Sequence, residues 1–263
     1  MKRFCALLLC LGFLLGLTAC QLKTVEPFSF GMSGGRGKLV RGNGEAIERT
    51  VPLGDDARPV TLRVSGISFN LDSDISAVEL VIDESLERAV KLTVDSNISE
   101  FISISYSAAE ITVKMEEQRV LAPTQMRLVV GAPVGRLLLN GPWNFTYDCP
   151  GVEGCDISIN GAASGDLAFG SLNRLEATLN GACNLKMRGS AKDAAFTLNG
   201  ASKVEAFDLL AGAADVTING ASNCEITAVE TLNAVINGVG SVIYGGSPAV
   251  RRSIHGLGEI RAR

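Results

Sequence analysis

Apolar and polar residues alternate along most of the chain, as in Val60-Thr61-Leu62-Arg63-Val64, Val78-Glu79-Leu80-Val81-Ile82 and Ile111-Thr112-Val113-Lys114. A period of two is the signature of strands with one buried face. Between Arg36 and Gly131 the alternation has no fixed spacing. Asp83 to Lys91 has mixed helix and turn character, and Ala122-Pro123-Thr124 breaks the chain before a strand from Met126 to Val130.

Beyond that point a repeat appears. Asn-Gly pairs begin at Asn140, Asn160, Asn180, Asn199, Asn219 and Asn237, at a nearly constant interval. Each Asn is followed by its glycine: Gly141, Gly161, Gly181, Gly200, Gly220 and Gly238. His255-Gly256 follows in the same setting, as far beyond Asn237 as Asn237 is beyond Asn219. The flanking text repeats as well: Ile157-Ser158-Ile159, Ala177-Thr178-Leu179, Phe196-Thr197-Leu198 and Val216-Thr217-Ile218 each run into the pair, and Ala usually follows it. Asn and Gly tolerate positive φ, so the step lets the chain turn sharply. Two architectures fit: an antiparallel meander with Asn-Gly hairpins, or a parallel solenoid in which each period is one coil. In a solenoid equivalent residues stack ~4.8 Å apart, giving apolar ladders inside, an Asn ladder along one edge and about 29 Å of stack over seven marks.

These units, with Val242-Ile243-Tyr244-Gly245-Gly246-Ser247-Pro248-Ala249-Val250 and Ile254-His255-Gly256-Leu257-Gly258, resemble the bacterial domain called the putative auto-transporter adhesin head, or GIN domain. Upstream, Val94-Asp95-Ser96-Asn97-Ile98, Ile102-Ser103-Ile104 and Ile111-Thr112-Val113-Lys114 are similar to the family's first strands. The family usually carries Ser-Gly-Ser-Gly where this chain has Asn-Gly-Ala-Ser or Asn-Gly-Val-Gly. The resemblance implies an all-β, right-handed parallel β-solenoid (β-helix) with coils of about 20 residues, at the short end of the usual range for stacked repeats, on exported, often lipidated bacterial proteins. It covers 35–263, with irregular opening coils over 35–135 and regular repeats over 136–263. A separate small β-domain in the front half is the alternative.

The first residues carry a different message. Lys2 and Arg3 precede an apolar run from Phe4 to Leu17, which reads as a secretory signal too short to span a bilayer comfortably. Leu17-Thr18-Ala19-Cys20 resembles the lipobox of bacterial lipoproteins, which implies cleavage after residue 19 and a thioether-linked lipid on Cys20. Gln21, rather than Asp, implies delivery to the outer membrane. Residues 20–34 then read as a lipidated N-terminus and tether, with Pro27 disfavouring a helix and Ser33, Gly34 and Gly35 adding flexibility. Buried acyl methylenes at ~0.8 kcal/mol each hold such a protein at a membrane without a basic patch.

Composition narrows the chemistry. The 263 residues carry 24 basic against 28 acidic side chains, leaving no surplus of positive charge for nucleic acid. One histidine and one tryptophan leave little imidazole for triads, zinc sites or acid/base pairs. No cofactor or metal is expected. The acidic pairs Asp72/Asp74, Glu116/Glu117 and Asp148/Glu153 read as solvated edges, and His255 takes the Asn slot of the repeat with no nucleophile beside it. Cys149 and Cys155 bracket a Pro/Gly turn, which favours a local disulfide in an exported protein. Cys183 and Cys224 lie two coils apart, beyond bridging distance, and read as buried thiols.

Trp143, Phe145 and Tyr147 are the one aromatic cluster. They fall on one side of an extended chain, either capping the core or, if exposed, forming a contact site. The expectation is a non-catalytic envelope lipoprotein whose solenoid contacts an unidentified protein or glycan. A polysaccharide-acting β-helix enzyme and an envelope-structural protein are the alternatives.

Overall fold

In the computed structural model, residues 38–54, 58–70, 78–107, 109–115 and 119–263 are described. The signal segment, Cys20, the tether and the pairs Asp72/Asp74 and Glu116/Glu117 lie outside them. The strands in chain order are β1 (Lys38–Arg41), β2 (Ala46–Pro52), β3 (Val60–Ser65), β4 (Ser68–Phe69), β5 (Val78–Asp83), β6 (Ala89–Asp95), β7 (Ile102–Ser107) and β8 (Glu110–Met115). They continue as β9 (Arg119–Ala122), β10 (Met126–Val130), β11 (Val134–Asn140), β12 (Trp143–Cys149), β13 (Gly154–Asn160), β14 (Ala162–Leu179), β15 (Ala182–Leu198) and β16 (Lys203–Ile218). The last four are β17 (Ala221–Ile236), β18 (Val239–Gly245), β19 (Ala249–Ile254) and β20 (Leu257–Ala262). One helical turn, α1 (Ser96–Ser99), interrupts the strand expected around Val94 to Ile98.

Parallel pairing decides between the two architectures. Each Asn-Gly step joins one face of a coil to the next, and equivalent residues of successive coils pair in register. The chain is therefore a β-solenoid whose stacked coils each span one period of the Asn-Gly repeat, not a meander of hairpins. On the face before the corner, β8, β3, β11, β13, the later halves of β14 to β17, and β19 succeed one another in parallel. On the face after it, the order is β5, β12, the earlier halves of β14 to β17, β18 and β20. The long strands β14 to β17 run through the second corner with only a register shift. The stretch Gly189-Ser190-Ala191 is thus bent strand, with Ala191 buried.

The alternating pattern builds the interior directly. Leu137, Ile157, Ala177, Phe196, Val216 and Ala234 form one buried column, and Leu139, Ile159, Leu179, Leu198, Ile218 and Ile236 form the next. Large side chains sit over small ones. A methyl group at Gly165 would lie 2.4 Å from the ring of Phe145 in the coil before, so the glycine makes room for the ring. Front and back halves share one core, because β3 and β5 are the coils beneath β11 and β12.

At the N-terminal end the direction reverses. β10 runs parallel to β5 but antiparallel to β6, β2 runs antiparallel to β6, and β7 runs antiparallel to β8. A small parallel sheet, β1-β9-β4, lies alongside. The buried Asp95 ties this end together. Its carboxylate accepts from Gly44 N (2.8 Å), Thr124 Oγ1 (2.6 Å) and Thr124 N (2.8 Å), joining the β1–β2 turn to the β9–β10 turn. Burial by itself would raise its pKa. The hydrogen bonds from Thr124, Gly44 and Gln125 more than offset this and hold it below the ordinary value.

Candidate functional site

The corner residues form two ladders. Each Asn side chain from Asn160 to Asn237 donates its Nδ2 to the Oδ1 of the Asn one coil earlier, at 2.7 to 2.8 Å, beginning at Asn140. His255 continues the position without an amide, and its Nδ1 lies 3.4 Å from Ser253 Oγ. The glycines are needed for a reason the sequence does not display. Gly141 and Gly161 have positive φ, but Gly181 lies outside the left-handed region. A Cβ at Gly181 would instead fall 1.8 Å from the carbonyl oxygen of Gly161 in the preceding coil. Close stacking of backbone on backbone, more than φ, excludes a side chain there.

Just inside the corner runs a third ladder. Ala163, Cys183, Ser202 and Ser222 share a column. Ser202 Oγ donates to Gly181 O (3.1 Å), Ser222 Oγ to Gly200 O (2.9 Å) and Cys183 Sγ, in the same role, to Gly161 O (3.8 Å). Cys183 and Cys224 are both buried free thiols.

Two expected sites are corrected. Cys149 and Cys155 are also free thiols, not a disulfide. The turn between them places them on successive faces of the coil, stacked beneath Phe169 and Leu175 respectively. Cys155 Sγ donates to Tyr147 Oη (3.4 Å), while Cys149 Sγ points to Ala132 O (3.9 Å). Burial pushes the Cys155 thiol up to about 12 and the Cys149 thiol up to about 11. The contact site at Trp143, Phe145 and Tyr147 is overturned by burial, with 0%, 3% and 1% of each exposed. Trp143 Nε1 donates to Asn140 O (3.1 Å), Tyr147 Oη donates to Val134 O (2.5 Å), and Phe69 meets the indole edge-on at 5.8 Å. The aromatics are packed within the core, in the coil between β5 and β14, and offer nothing to a ligand.

What remains for contact is the outward columns. Beside the Asn ladder stand Ser158, Thr178, Thr197 and Thr217, with Asp156, Glu176 and Asp215 one alternation further out. The opposite face carries Ser164, Asn184, Lys203 and Asn223 in one column and Asp166, Lys186, Glu205 and Glu225 in the next. A shallow hollow of about 250 Å³ opens there, bounded by Lys186, Arg188, Phe207 and the carboxylates of Asp166, Glu205 and Glu225. Stacked carboxylates invite comparison with a glycosidase pair, whose acid member needs a raised pKa. Glu205 has the opposite bias: its hydrogen bond and ion pair with Lys203 lower its pKa. Asp148 and Glu153 are exposed. Among the described residues no three His, Cys, Asp or Glu side chains are grouped to hold a metal ion. The sequence signal for the second face is weak, because its columns have no constant residue type.

Comparison with known proteins gives the same picture. The profile of the family described as "Putative auto-transporter adhesin, head GIN domain" matches residues 75–248. No curated protein matches. Among solved structures, a putative adhesin from Bacteroides fragilis is 18% identical with a TM-score of 0.66, covering 85% of this chain and 100% of its own. A putative lipid binding protein from Parabacteroides distasonis is 19% identical with a TM-score of 0.58, covering 86% and 100%. A putative adhesin from Parabacteroides merdae is 16% identical with a TM-score of 0.53, again covering 86% and 100%. At these identities the structural likeness speaks for the fold alone, but the profile spans most of the chain, and by it the protein belongs to the family of putative auto-transporter adhesin head GIN domains.

Proposed function

We propose that this chain is a non-catalytic bacterial adhesin, anchored in the cell envelope through a lipid on Cys20, whose solenoid presents its outward columns to a protein or glycan. The observation that carries the reading is the regular stacking of polar and charged side chains on two faces of a core that fills its own interior. Repeated identical spacing gives a ligand many weak contacts at once, which multiply into avidity without a deep pocket. Membership in an adhesin family supports the same direction. The lipobox-like Leu17-Thr18-Ala19-Cys20 supports the anchor, and Gln21 the outer membrane. The low count of basic residues argues against nucleic acid.

Two experiments test this. The domain from Lys23 onward is applied to glycan and host-protein arrays, alone and with Lys186, Lys203 and Glu225 replaced by Ala. Binding that falls in the variants supports the reading; no binding to either class sinks it. Metabolic labelling with a fatty acid, in the native chain and in Cys20→Ala, tests the anchor. Equal labelling of both would remove Cys20 as the lipid site.

A further inference from the structure

One coil of the repeat departs from its neighbours on the outward face. Between Glu205 and Leu210, β16 carries one residue more than β15 and three more than β17. Bulges of this kind re-aim side chains and gather next to functional sites. Alternation lapses here: between the buried Ala206 and Leu209, two successive side chains, Phe207 and Asp208, stay outside. Thr227 Oγ1 donates to Phe207 O (2.8 Å) and pins the bulge, while the guanidinium of Arg263 lies 4.7 Å from the ring centroid. The half-buried phenyl ring is thereby fixed at the border of the hollow of about 250 Å³ on this face.

The charged groups around the ring are open. Asp166 stacks against Lys186 and Arg188 against Asp208, yet among the described residues none of the four makes an ion pair or a side-chain hydrogen bond. Glu205, the next carboxylate along, is engaged by Lys203 instead. Two cationic donors and two carboxylate acceptors therefore stand ready beside an aromatic surface. A second hollow of about 200 Å³ opens on the same face, bounded by Asn144, Thr146, Ser164 and Asp166. Asp166 belongs to both, so the two adjoin along the stack of coils.

We propose that the two hollows are sugar subsites of one groove, which takes an uncharged glycan lengthwise along the stack. This rests on the adhesin reading and names glycan, rather than protein, as the ligand of this face. The C–H side of a pyranose packs on the negative face of a phenyl ring, and its hydroxyls both donate and accept. One sugar can thus use Lys186, Arg188 and Asp208 together with Phe207. An anionic sugar would meet the carboxylates of Asp166, Asp208 and Glu225, and a cationic one Lys186 and Arg188. Coils repeat at ~4.8 Å, close to the advance of one sugar along an extended chain. The hollows are centred about two to three coils apart, so a chain of about four sugars reaches both.

The test applies the full chain, in a detergent without a sugar headgroup, to immobilised gluco-, galacto- and manno-oligosaccharides of one to six units and to their sialylated and uronate-containing counterparts. At least one neutral series is expected to bind, with four units held roughly tenfold or more tighter than one. Phe207→Leu, which keeps the bulk and loses the ring, and Asp166→Ala should each weaken the four-unit probe roughly tenfold, with urea midpoints showing the fold intact. Thr178→Ala with Thr197→Ala, on the opposite face, should change nothing. Binding of charged sugars only, equal retention of one and four units, or indifference to Phe207→Leu and Asp166→Ala would each overturn the proposal. Glycan binding lost in the opposite-face variant, or a protein ligand alone, would overturn it and leave the adhesin reading standing. Silence towards both glycans and proteins would end both.

Discussion

Replacing Gly181 by Ala tests whether the corner glycines are held by stacking. A methyl at 181 would lie 1.8 Å from Gly161 O and 2.7 Å from Gly161 C, both backbone atoms that no rotamer change can move. Reaching the 3.0 Å floor of real Cβ contacts requires the corner to open by about 1.2 Å. That displacement stretches the adjacent bond from Ala182 N to Gly161 O, now 3.0 Å, past hydrogen-bonding distance, and strains the one from Asn180 N to Ile159 O. Two weakened bonds at ~1 kcal/mol each and overpacking at about 1–3 kcal/mol outweigh the roughly 0.4–1 kcal/mol that Ala gains by restricting the unfolded chain. The net expectation is a loss of roughly 3 kcal/mol. Gly54 is the control, because no atom of the described residues lies within 4 Å of its Cβ position and its φ is not positive. Gly54→Ala should be neutral or stabilising by up to about 1 kcal/mol. Urea unfolding followed by far-ultraviolet circular dichroism measures both. If Gly181→Ala unfolds at the same urea concentration as the native chain, the stacking argument is wrong.

Four further outcomes are expected. Asn180→Ala removes one donated and one accepted amide bond from the exposed ladder and should cost about 1–2 kcal/mol in the same assay. Asp95→Asn should destabilise by about 2–4 kcal/mol at neutral pH, since it weakens several charge-assisted bonds. Because the folded pKa of Asp95 is depressed, its contribution is complete above the ordinary carboxylate range and fades as pH falls through that range and below, so urea midpoints of the two proteins should converge in acid. Trp143→Ala should cost about 3–5 kcal/mol, with ligand capture per folded molecule unchanged, which a paired unfolding and binding measurement would show. Cys149, Cys155 and Cys224, pushed up to about 11, about 12 and about 12 by burial, should resist a thiol-reactive disulfide at pH 7 until denaturant is added; reaction in the folded state would contradict their placement.

The repeat was legible because each coil meets the same neighbours and therefore asks for the same residues. Asn140 to Asn237 answer one question six times, and the phase of those answers marks the corners. The glycine requirement was legible as a position but not as a cause, since the atom that forbids a methyl at 181 belongs to residue 161, a full coil away. The N-terminal end was harder. The alternation in β2, β6 and β7 is the same whether a strand joins its neighbour parallel or antiparallel, and Asp95 looks like one more strand-end carboxylate until Thr124 and Gly44 are brought to it. Cys149 and Cys155 misled for a related reason: a short Pro/Gly turn brings residues close in sequence, but alternation and the corner decide which way their sulfurs face.

The solenoid also separates what the fold needs from what a partner can read. Inward columns and corner ladders are constrained by contact with the coils on either side, whereas an outward side chain touches only its stacked neighbours and side chains beside it on the same face, as Lys203 does Glu205. The structural relatives keep the architecture at 16% to 19% identity, which such a division permits. Variation at Lys186, Lys203 or Glu225 can therefore change the surface without disturbing Leu185, Val204 or Cys224 beside them, whose side chains point the other way. The ends obey a different rule. A strand paired on one side only must guard its own edge, and Arg252, a charge set into the apolar column above Ala234, does so.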